Sequence, residues 1–219
     1  MNEEQIHLIL REYLVNGRSH SWKEKGNKYY HGLRTAVLAK KLRQTLFPQD
    51  QEADPVLTVA SWFHDLCNGQ QDHERLGAEE TGRLLSGLCP PTQLQTIQQL
   101  IRFHDTRDHK PEYSHRLLLL QDADLLDHFG TYDLWITFRY AMEEEMSLEE
   151  TVQWLLKVRG GERQTYFNKL NFPLSQSIYL VRFDYVQKIA LRMQGEIRGE
   201  IMGFPELEGK KRERPLESL

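Results

Sequence analysis

Four side chains in three separate segments could bind a divalent cation: His31, the adjacent pair His64 and Asp65, and Asp124. Imidazole nitrogens and carboxylate oxygens suit Mn, Fe or Zn better than Ca, and the set lacks the thiolates of a structural zinc site. Each residue alone also fits an ordinary structural role. His31 could lie at the core boundary, the His64–Asp65 pair could be a hydrogen-bonded helix end, and Asp124 could be a buried acid paired with an arginine.

The elements that must position these residues are helices, because nearly every segment carries apolar residues at helical spacing and none alternates with period two. His31 lies on a helix predicted over about 28–46, and the His64–Asp65 pair ends the apolar run 56–63. Asp124 lies on a strongly apolar helix predicted over 113–129. If the apolar faces of these helices pack together, the four groups converge at the centre of a helix bundle.

The other helices are predicted over 6–14, 72–88, 92–104, 132–145, 147–158 and 174–201, with glycine or proline at most of the breaks. Residues 206–219 are polar, charged and proline-containing, which is typical of a frayed tail. We therefore expect an all-α fold: a single compact helical domain over residues 1–205 with the metal site at its centre, followed by the tail.

Composition limits the partners and the compartment. With 28 basic and 32 acidic residues the net charge is −4, so no overall positive field favours nucleic acid. Two cysteines, Cys67 and Cys89, are too few for a disulfide framework and indicate a reducing compartment. No secretory leader and no membrane-spanning apolar run is apparent, so we expect a cytoplasmic protein. A homo-oligomer formed through the aromatic residues of 166–185 stays open, although a core role for them is favoured.

The sequence around each of these residues carries further detail. The segments in question are 30–36 with His31, 60–66 with the His64–Asp65 pair, 72–79, 97–104, and 121–127 with its Asp-Ala-Asp-Leu-Leu-Asp run. In this order they resemble the HD-domain superfamily of metal-dependent phosphohydrolases, and its small stand-alone bacterial branch in particular. The chain departs from that pattern at Leu125, where related members often carry Arg, and at 66–69, where an acid- or Lys-containing stretch is more usual.

The resemblance implies that one divalent ion (Mn, Mg, Fe, Co, Ni or Zn) is held by four ligands: His31, His64, Asp65 and Asp124. Asp65 is then the ligand best placed to bridge a second ion. His73 and His104 are candidates for that second ion or for the phosphate, and Asp65 and His104 are the candidate catalytic residues. His104 could instead be a hydrogen-bonded core residue, and His73 a solvated helix start.

Positive side chains must stabilise the charge that builds up on phosphoryl oxygens. Arg34 is the best candidate because it follows His31 by one helical turn, and Lys28 precedes His31 by three residues. Arg75 is a weaker candidate, since arginines on helix faces are usually solvated charges. The predicted substrate-binding set is therefore Lys28, Arg34, His73, Arg75 and His104.

The function that the resemblance implies is hydrolysis, by metal-activated water, of a phosphate ester or anhydride bond in a small phosphorylated metabolite. A nucleotide is the favoured substrate. Three alternatives stay open. The first is a phosphodiesterase acting on a cyclic or linear nucleotide, and the second is a non-catalytic module that senses a nucleotide through the same pocket. The third is a structural helical protein in which the pattern of His and Asp residues arises by coincidence.

Overall fold

The computed structural model describes residues 1–108 and 111–201, which contain helices and no β-strand. The helices are α1 (Glu3–Leu14), α2 (Asn27–Leu46), α3 (Ala53–Phe63), α4 (His73–Leu84), α5 (Pro91–Phe103), α6 (His115–Asp127), α7 (Thr131–Glu143), α8 (Leu148–Gln153), a π-helical segment (Trp154–Arg159), α9 (Arg163–Asn168) and α10 (Pro173–Ile197). The all-α prediction is confirmed. The predicted tail over 206–219 lies outside the described residues, and the boundary of the single domain stays a prediction.

Several helix starts follow from local capping chemistry. The Ser114 side chain accepts a hydrogen bond from the first turn of α6, and Ser147 with Glu150 forms a capping box on α8. Helix α5 begins at Pro91, one residue before the predicted start of this helix at 92. Proline takes the first helical position because its fixed φ suits the helix and its missing N–H has no partner to lose.

Helices α2, α3 and α6 form the centre of the fold, with α2 packed against both of the others. Leu57 and Phe63 of α3 and Leu119 and Leu126 of α6 are fully buried. Each such side chain stabilises the fold by about 1.5–3 kcal/mol relative to exposure. Asp124 is buried among these apolar neighbours, which is costly for a carboxylate unless a cation or a hydrogen bond compensates.

A glycine sets the distance between α2 and α3. A Cβ atom added at Gly32 would lie 2.9 Å from the Trp62 carbonyl oxygen and 3.1 Å from that of Ser61. Both contacts are with backbone, which cannot rotate away. Because residue 32 has no side chain, α2 approaches the last turn of α3 closely, and this brings His31 next to His64.

The helices after α6 form a second, smaller apolar cluster. Its buried members are Leu134, Leu155, Val186 and Ala190. The Asp122 carboxylate of α6 accepts hydrogen bonds from the backbone N–H groups of residues 171 and 172, and so fixes the start of α10.

Within the described ranges, no helix combines the length and the apolar character needed to cross a membrane.

One helix differs from its prediction. The sequence predicts a single helix over 147–158, whereas α8 ends at Gln153 and continues as a π-helical segment to Arg159. The short helix α9 that follows has no counterpart in the prediction. π-Helical turns are rare, and helical spacing of apolar residues does not distinguish them from α-helical turns.

Candidate metal centre

The four predicted ligands come from three central helices and meet at one place. His31 lies in α2, His64 and Asp65 directly follow α3, and Asp124 lies in α6. The His31 Nε2 atom is 3.1 Å from His64 Nε2, 3.2 Å from Asp124 Oδ1 and 3.8 Å from Asp65 Oδ2. The His64 Nε2 atom is 3.5 Å from Asp124 Oδ1 and 3.7 Å from Asp65 Oδ2. All four residues are buried.

These separations fit the coordination shell of one divalent ion. Two ligand atoms that are each about 2.1 Å from the same ion lie about 3.0–4.2 Å apart, depending on the angle between them. The ligand atoms above are 3.1 to 3.8 Å apart. Two nitrogens and two oxygens without sulfur match Mn, Fe, Co, Ni or Zn, and they leave the choice among these open.

The second nitrogen of each imidazole is held by an acceptor. His31 Nδ1 lies 2.8 Å from Asp127 Oδ2, and His64 Nδ1 lies 2.8 Å from the Ser61 carbonyl oxygen. A carbonyl oxygen only accepts, so Nδ1 of His64 carries the proton, and the carboxylate favours the same tautomer for His31. In the neutral rings both Nε2 lone pairs therefore face the same point, as they do in metal-bound histidines.

Neighbouring charges change the protonation of the site. Burial alone would lower the pKa of His31, but hydrogen bonds to Asp124 and Asp127 outweigh it and raise that pKa to about 9. Burial raises the pKa of Asp124, whereas contacts with His128, His31 and His64 hold it well below its usual range. A metal ion must therefore displace a proton from His31 when it binds.

Lys28 lies beside the ligand Asp65. Its ammonium group donates to Asp65 Oδ2, the same oxygen that faces both imidazoles. Burial raises the pKa of Asp65, but the positive charges of His64, Lys28 and His31 together hold it far below its usual range. Asp65 thus faces several positive charges, and the predicted substrate-binding residue Lys28 lies at the edge of the site.

A second group of metal-ligand type adjoins the first. The ligand atoms of Asp65, His73 and His104 all lie within 4.8 Å of one another. His104 Nδ1 lies 2.7 Å from the Ile101 carbonyl oxygen, so the Nε2 lone pair of this ring is free to face the site. Burial lowers the pKa of His104, and so does the positive charge of His64. Asp65 belongs to both groups.

The family model of the HD domain matches residues 29–128, which contain all six residues of the two groups. This segment is an HD domain. The comparison with curated protein sequences gave no match.

Solved structures of bacterial proteins share this fold. An HD-superfamily hydrolase from Bacillus thuringiensis has a TM-score of 0.66 at 16% identity, covering 91% of this chain and 100% of that one. Bacillus subtilis YpgQ, solved in complex with ADP, has a TM-score of 0.60 at 17% identity, covering 90% of this chain and 98% of that one. Lin1889 from Listeria innocua has a TM-score of 0.57 at 18% identity, with 90% and 98% covered. At sequence identities of 16–18%, the similarity to these structures shows a shared fold.

Arg34 of the HD domain binds the carboxylate that orients His31. Its Nε and Nη2 atoms each donate to Asp127 at 2.8 Å, and its guanidinium stacks on the Tyr132 ring at 4.1 Å from the centroid. Arg34, Asp127 and His31 thus form a continuous chain that ends at a predicted metal ligand. The role of Arg34 in binding substrate stays a prediction.

Arg75, the third lysine or arginine of the predicted substrate-binding set, lies away from the converging side chains. It pairs with Asp72 and Glu79 on the surface of α4, and its side chain is 38% exposed. Arg75 and His73 are two residues apart on this helix, so their side chains point to roughly opposite sides. His73 faces His104, with 5.9 Å between the ring centroids.

Two further HD-domain residues near Asp124 were not predicted as ligand neighbours. Arg107 donates to Asp124 Oδ2 at 3.3 Å and to the Gln121 carbonyl oxygen at 2.9 Å, which leaves Oδ1 facing the imidazoles. His128 Nε2 lies 3.5 Å from Asp124 Oδ1. Asp124 and His128 are four residues apart, a spacing that places two side chains on the same face of a helix. The sequence could therefore have predicted this contact. Arg107 reaches Asp124 from a loop, and no short-range sequence pattern predicts this contact.

Proposed function

We propose that the chain is a metal-dependent phosphohydrolase that cleaves a phosphate ester or anhydride bond of a small phosphorylated metabolite, with a nucleotide as the favoured substrate. The observation that carries this proposal is the convergence of two imidazole Nε2 atoms and two carboxylate oxygens in a buried site. The shared fold of YpgQ, a protein solved with ADP, supports a nucleotide.

His31, His64, Asp65 and Asp124 would hold the ion. A bound divalent ion supplies an acidified water as nucleophile and withdraws electron density from a phosphoryl oxygen. The chain contributes the orientation of the ligands: Asp127 accepts from His31 Nδ1, and Arg107 holds the far oxygen of Asp124. Contacts of this kind hold the ligand atoms in place and so limit the reorganisation that the reaction requires.

The remaining predicted residues have roles around this centre. Lys28 lies where a phosphoryl group next to Asp65 would meet a positive charge, which stabilises the charge of the transition state. His73 and His104 share Asp65 with the first group, so they would hold a second ion with Asp65 as the bridge. His104 stays a candidate for catalysis, and Arg34 for contact with phosphate.

The test is the release of phosphate or pyrophosphate from nucleoside mono-, di- and triphosphates, with Mn, Mg, Co or Ni supplied in turn. We expect turnover in the wild type and none in the double variant His64→Ala, Asp65→Ala, whose helical circular dichroism should persist. The control is His115→Ala, because His115 is also a histidine paired with an aspartate (Asp50, 2.7 Å) but lies outside both ligand groups. The control should keep its activity.

Turnover in the double variant would exclude the proposed site. No product from any nucleotide with any of the four metals would count against a phosphohydrolase. Tight nucleotide binding without turnover would instead favour the sensor module.

A further inference from the structure

A cavity of about 300 Å³ lies beside the candidate metal centre, between the HD domain and the helices that follow it. His128, part of its wall, places Nε2 3.5 Å from Asp124 Oδ1, so the cavity opens next to a predicted metal ligand. The volume is at the lower end of the range of about 300–1,000 Å³ that is typical of small-molecule sites. We call this cavity the base pocket, defined by its lining at His128, Phe129, Asp133, Arg159 and Tyr166.

Flat and apolar side chains form much of the wall. Phe129 and Tyr166 pack edge to face with 5.0 Å between their ring centroids, and Leu125, Tyr132 and Ile136 complete this part of the surface. Aromatic and aliphatic surfaces of this kind bind the faces of nucleobases without regard to base identity. They have no comparable affinity for a bare sugar phosphate.

A paired donor and acceptor lie in the same wall. Arg159 Nη2 donates to Asp133 Oδ1 at 2.9 Å, and its Nη1 donates to Glu162 at 3.0 Å. The Nε atom of Arg159 is buried and has no hydrogen-bond partner within residues 1–108 and 111–201. The guanidinium also lies over the rings of Phe129, Trp154 and Tyr166, at 5.1 to 5.8 Å from their centroids, which offsets part of the cost of burying it. The edge of every nucleobase offers a donor and an acceptor side by side.

The backbone that carries Arg159 is unusual as well. Arg159 is the last residue of the π-helical segment Trp154–Arg159, and it lies 5.1 Å from the Phe129 ring centroid. π-Helical turns inside α-helices are rare and are frequently found at functional sites. Residues 129–166 of the wall lie beyond the segment that the HD-domain model matches.

Two lysines connect the base pocket to the metal centre. Lys23 lines the pocket, and Lys28 contacts Asp65 at the metal centre. The loop of Lys23 is fixed on α7, because Glu24 accepts hydrogen bonds from Tyr132 at 3.3 Å and from Trp135 at 3.4 Å. Burial and the charge of Lys28 both lower the pKa of Lys23. A phosphate chain between the two sites would relieve this repulsion.

We propose that the base pocket binds the nucleobase of the substrate, with the base against the aromatic and aliphatic wall and its hydrogen-bonding edge on Asp133 and Arg159. Lys23 and Lys28 then contact the phosphates that lead to the metal centre. This inference rests on the proposed function and deepens it. It assigns selectivity for nucleotides over other phosphate esters to the helices after residue 128.

The test compares binding of four nucleoside monophosphates with binding of ribose 5-phosphate, which has the same phosphate and sugar but no base. By calorimetry on the full chain, we expect the best nucleotide to bind at least tenfold more tightly than ribose 5-phosphate. The substitution Ile136→Trp places a larger side chain in the pocket and should reduce this ratio to below threefold. The control Arg163→Gln removes a guanidinium that pairs with Asp184 outside the pocket and should keep the ratio.

Asp133→Asn is a second variant, in case Ile136→Trp fails to fold. It exchanges an acceptor for a donor and should change the order of affinity among the four bases. Equal binding of ribose 5-phosphate and every nucleotide would overturn the base pocket, as would an unchanged ratio in folded Ile136→Trp together with an unchanged order in Asp133→Asn. Neither readout needs turnover, so a wild type that binds bases selectively but hydrolyses nothing would refute the phosphohydrolase and leave the base pocket standing.

Discussion

Asp127 links the predicted metal ligand His31 to Arg34, and a similar arrangement at Asp50 lies away from the predicted ligands. Asp127 accepts from His31 Nδ1 at 2.8 Å and from Arg34 at 2.8 Å. Elsewhere, Asp50 accepts from His115 at 2.7 Å and from Arg116 at 2.6 Å. The two triads have the same chemistry, which makes the second one a matched control for the first.

Asp127→Asn should lower the affinity for Mn²⁺ about 10–100-fold, because a neutral amide orients His31 less firmly and makes its Nε2 less basic. The measurement is competition with a chromophoric chelator at fixed pH. Asp50→Asn removes the equivalent charge from the other triad and should leave the affinity unchanged. An equal loss in both variants would mean that the effect comes from general destabilisation and not from His31.

The raised pKa of His31 makes metal binding depend on pH. In protein treated with EDTA, the pKa of His31 is about 9, against about 6.5 for an unfolded chain. Its proton therefore stabilises the metal-free fold fully below pH 6.5, and this stabilisation is lost as the pH rises to 9. Metal binding requires the neutral ring of His31, so the affinity for the metal ion rises as the pH rises.

We expect the affinity for Mn²⁺ to rise about tenfold per pH unit between pH 7 and 8.5, since one proton leaves His31 for each ion bound. Calorimetry in two buffers with different enthalpies of protonation counts the released protons directly. In Asp127→Asn the pKa of His31 falls, and fewer protons should be released at pH 7.5. Affinity that is independent of pH over this range would contradict the protonation of His31.

The sequence predicted the four converging side chains more completely than the residues that orient them. His31, the His64–Asp65 pair and Asp124 stand at places where an apolar helix carries a polar group that needs a partner, and this is visible in the chain. Arg107 contacts Asp124 from a loop, so only the folded structure reveals its role. Arg75 is the opposite case: it is near the predicted ligand His73 in sequence, but it pairs with Asp72 and Glu79 on the surface of α4.

At the scale of elements, the contact between α2 and α3 determines whether His31 reaches His64. Gly32→Ala would normally favour a helix by about 1 kcal/mol. Here the added Cβ meets backbone at 2.9 Å, so α2 must shift. We expect a net loss of about 1–3 kcal/mol in the free energy of unfolding and weaker Mn²⁺ binding. Thermal unfolding and metal titration measure the two effects.

Gly77→Ala in α4 is the matched control, because its Cβ would lie 3.6 Å from the Ile101 side chain, an ordinary contact. This variant should unfold at or above the temperature of the wild type and bind Mn²⁺ equally well. If Gly32→Ala behaved in the same way, α2 would not be positioned by its contact with α3.

The π-helical segment could not be predicted from the spacing of apolar residues in the sequence. The helical spacing of 147–158 continues without interruption, and its sequence contains no glycine or proline before 159 to announce a change. The wide turn coincides with the contact of Arg159 with Asp133 of α7 and with the Phe129 ring. These partners lie 26 and 30 residues away in sequence, so no local pattern contains them.

At the scale of the whole molecule, the roles divide along the chain. The predicted ligands lie within residues 31–124, inside the HD domain, while much of the base pocket comes from the helices after it. With a net charge of −4, the molecule as a whole does not attract anions. An anionic substrate must therefore be attracted by local cations, of which Lys23 and Lys28 face the two sites.

Metal should stabilise the whole fold, because it binds the folded chain and has no preformed site in the unfolded one. At a Mn²⁺ concentration 100-fold above its dissociation constant, the gain is about 2.7 kcal/mol. For a chain of this length that corresponds to a rise of about 5–11 °C in the unfolding temperature over EDTA-treated protein. His64→Ala should lose most of this rise, whereas His115→Ala should keep it. Identical unfolding curves with EDTA and with Mn²⁺ would mean that the four converging side chains do not bind this ion.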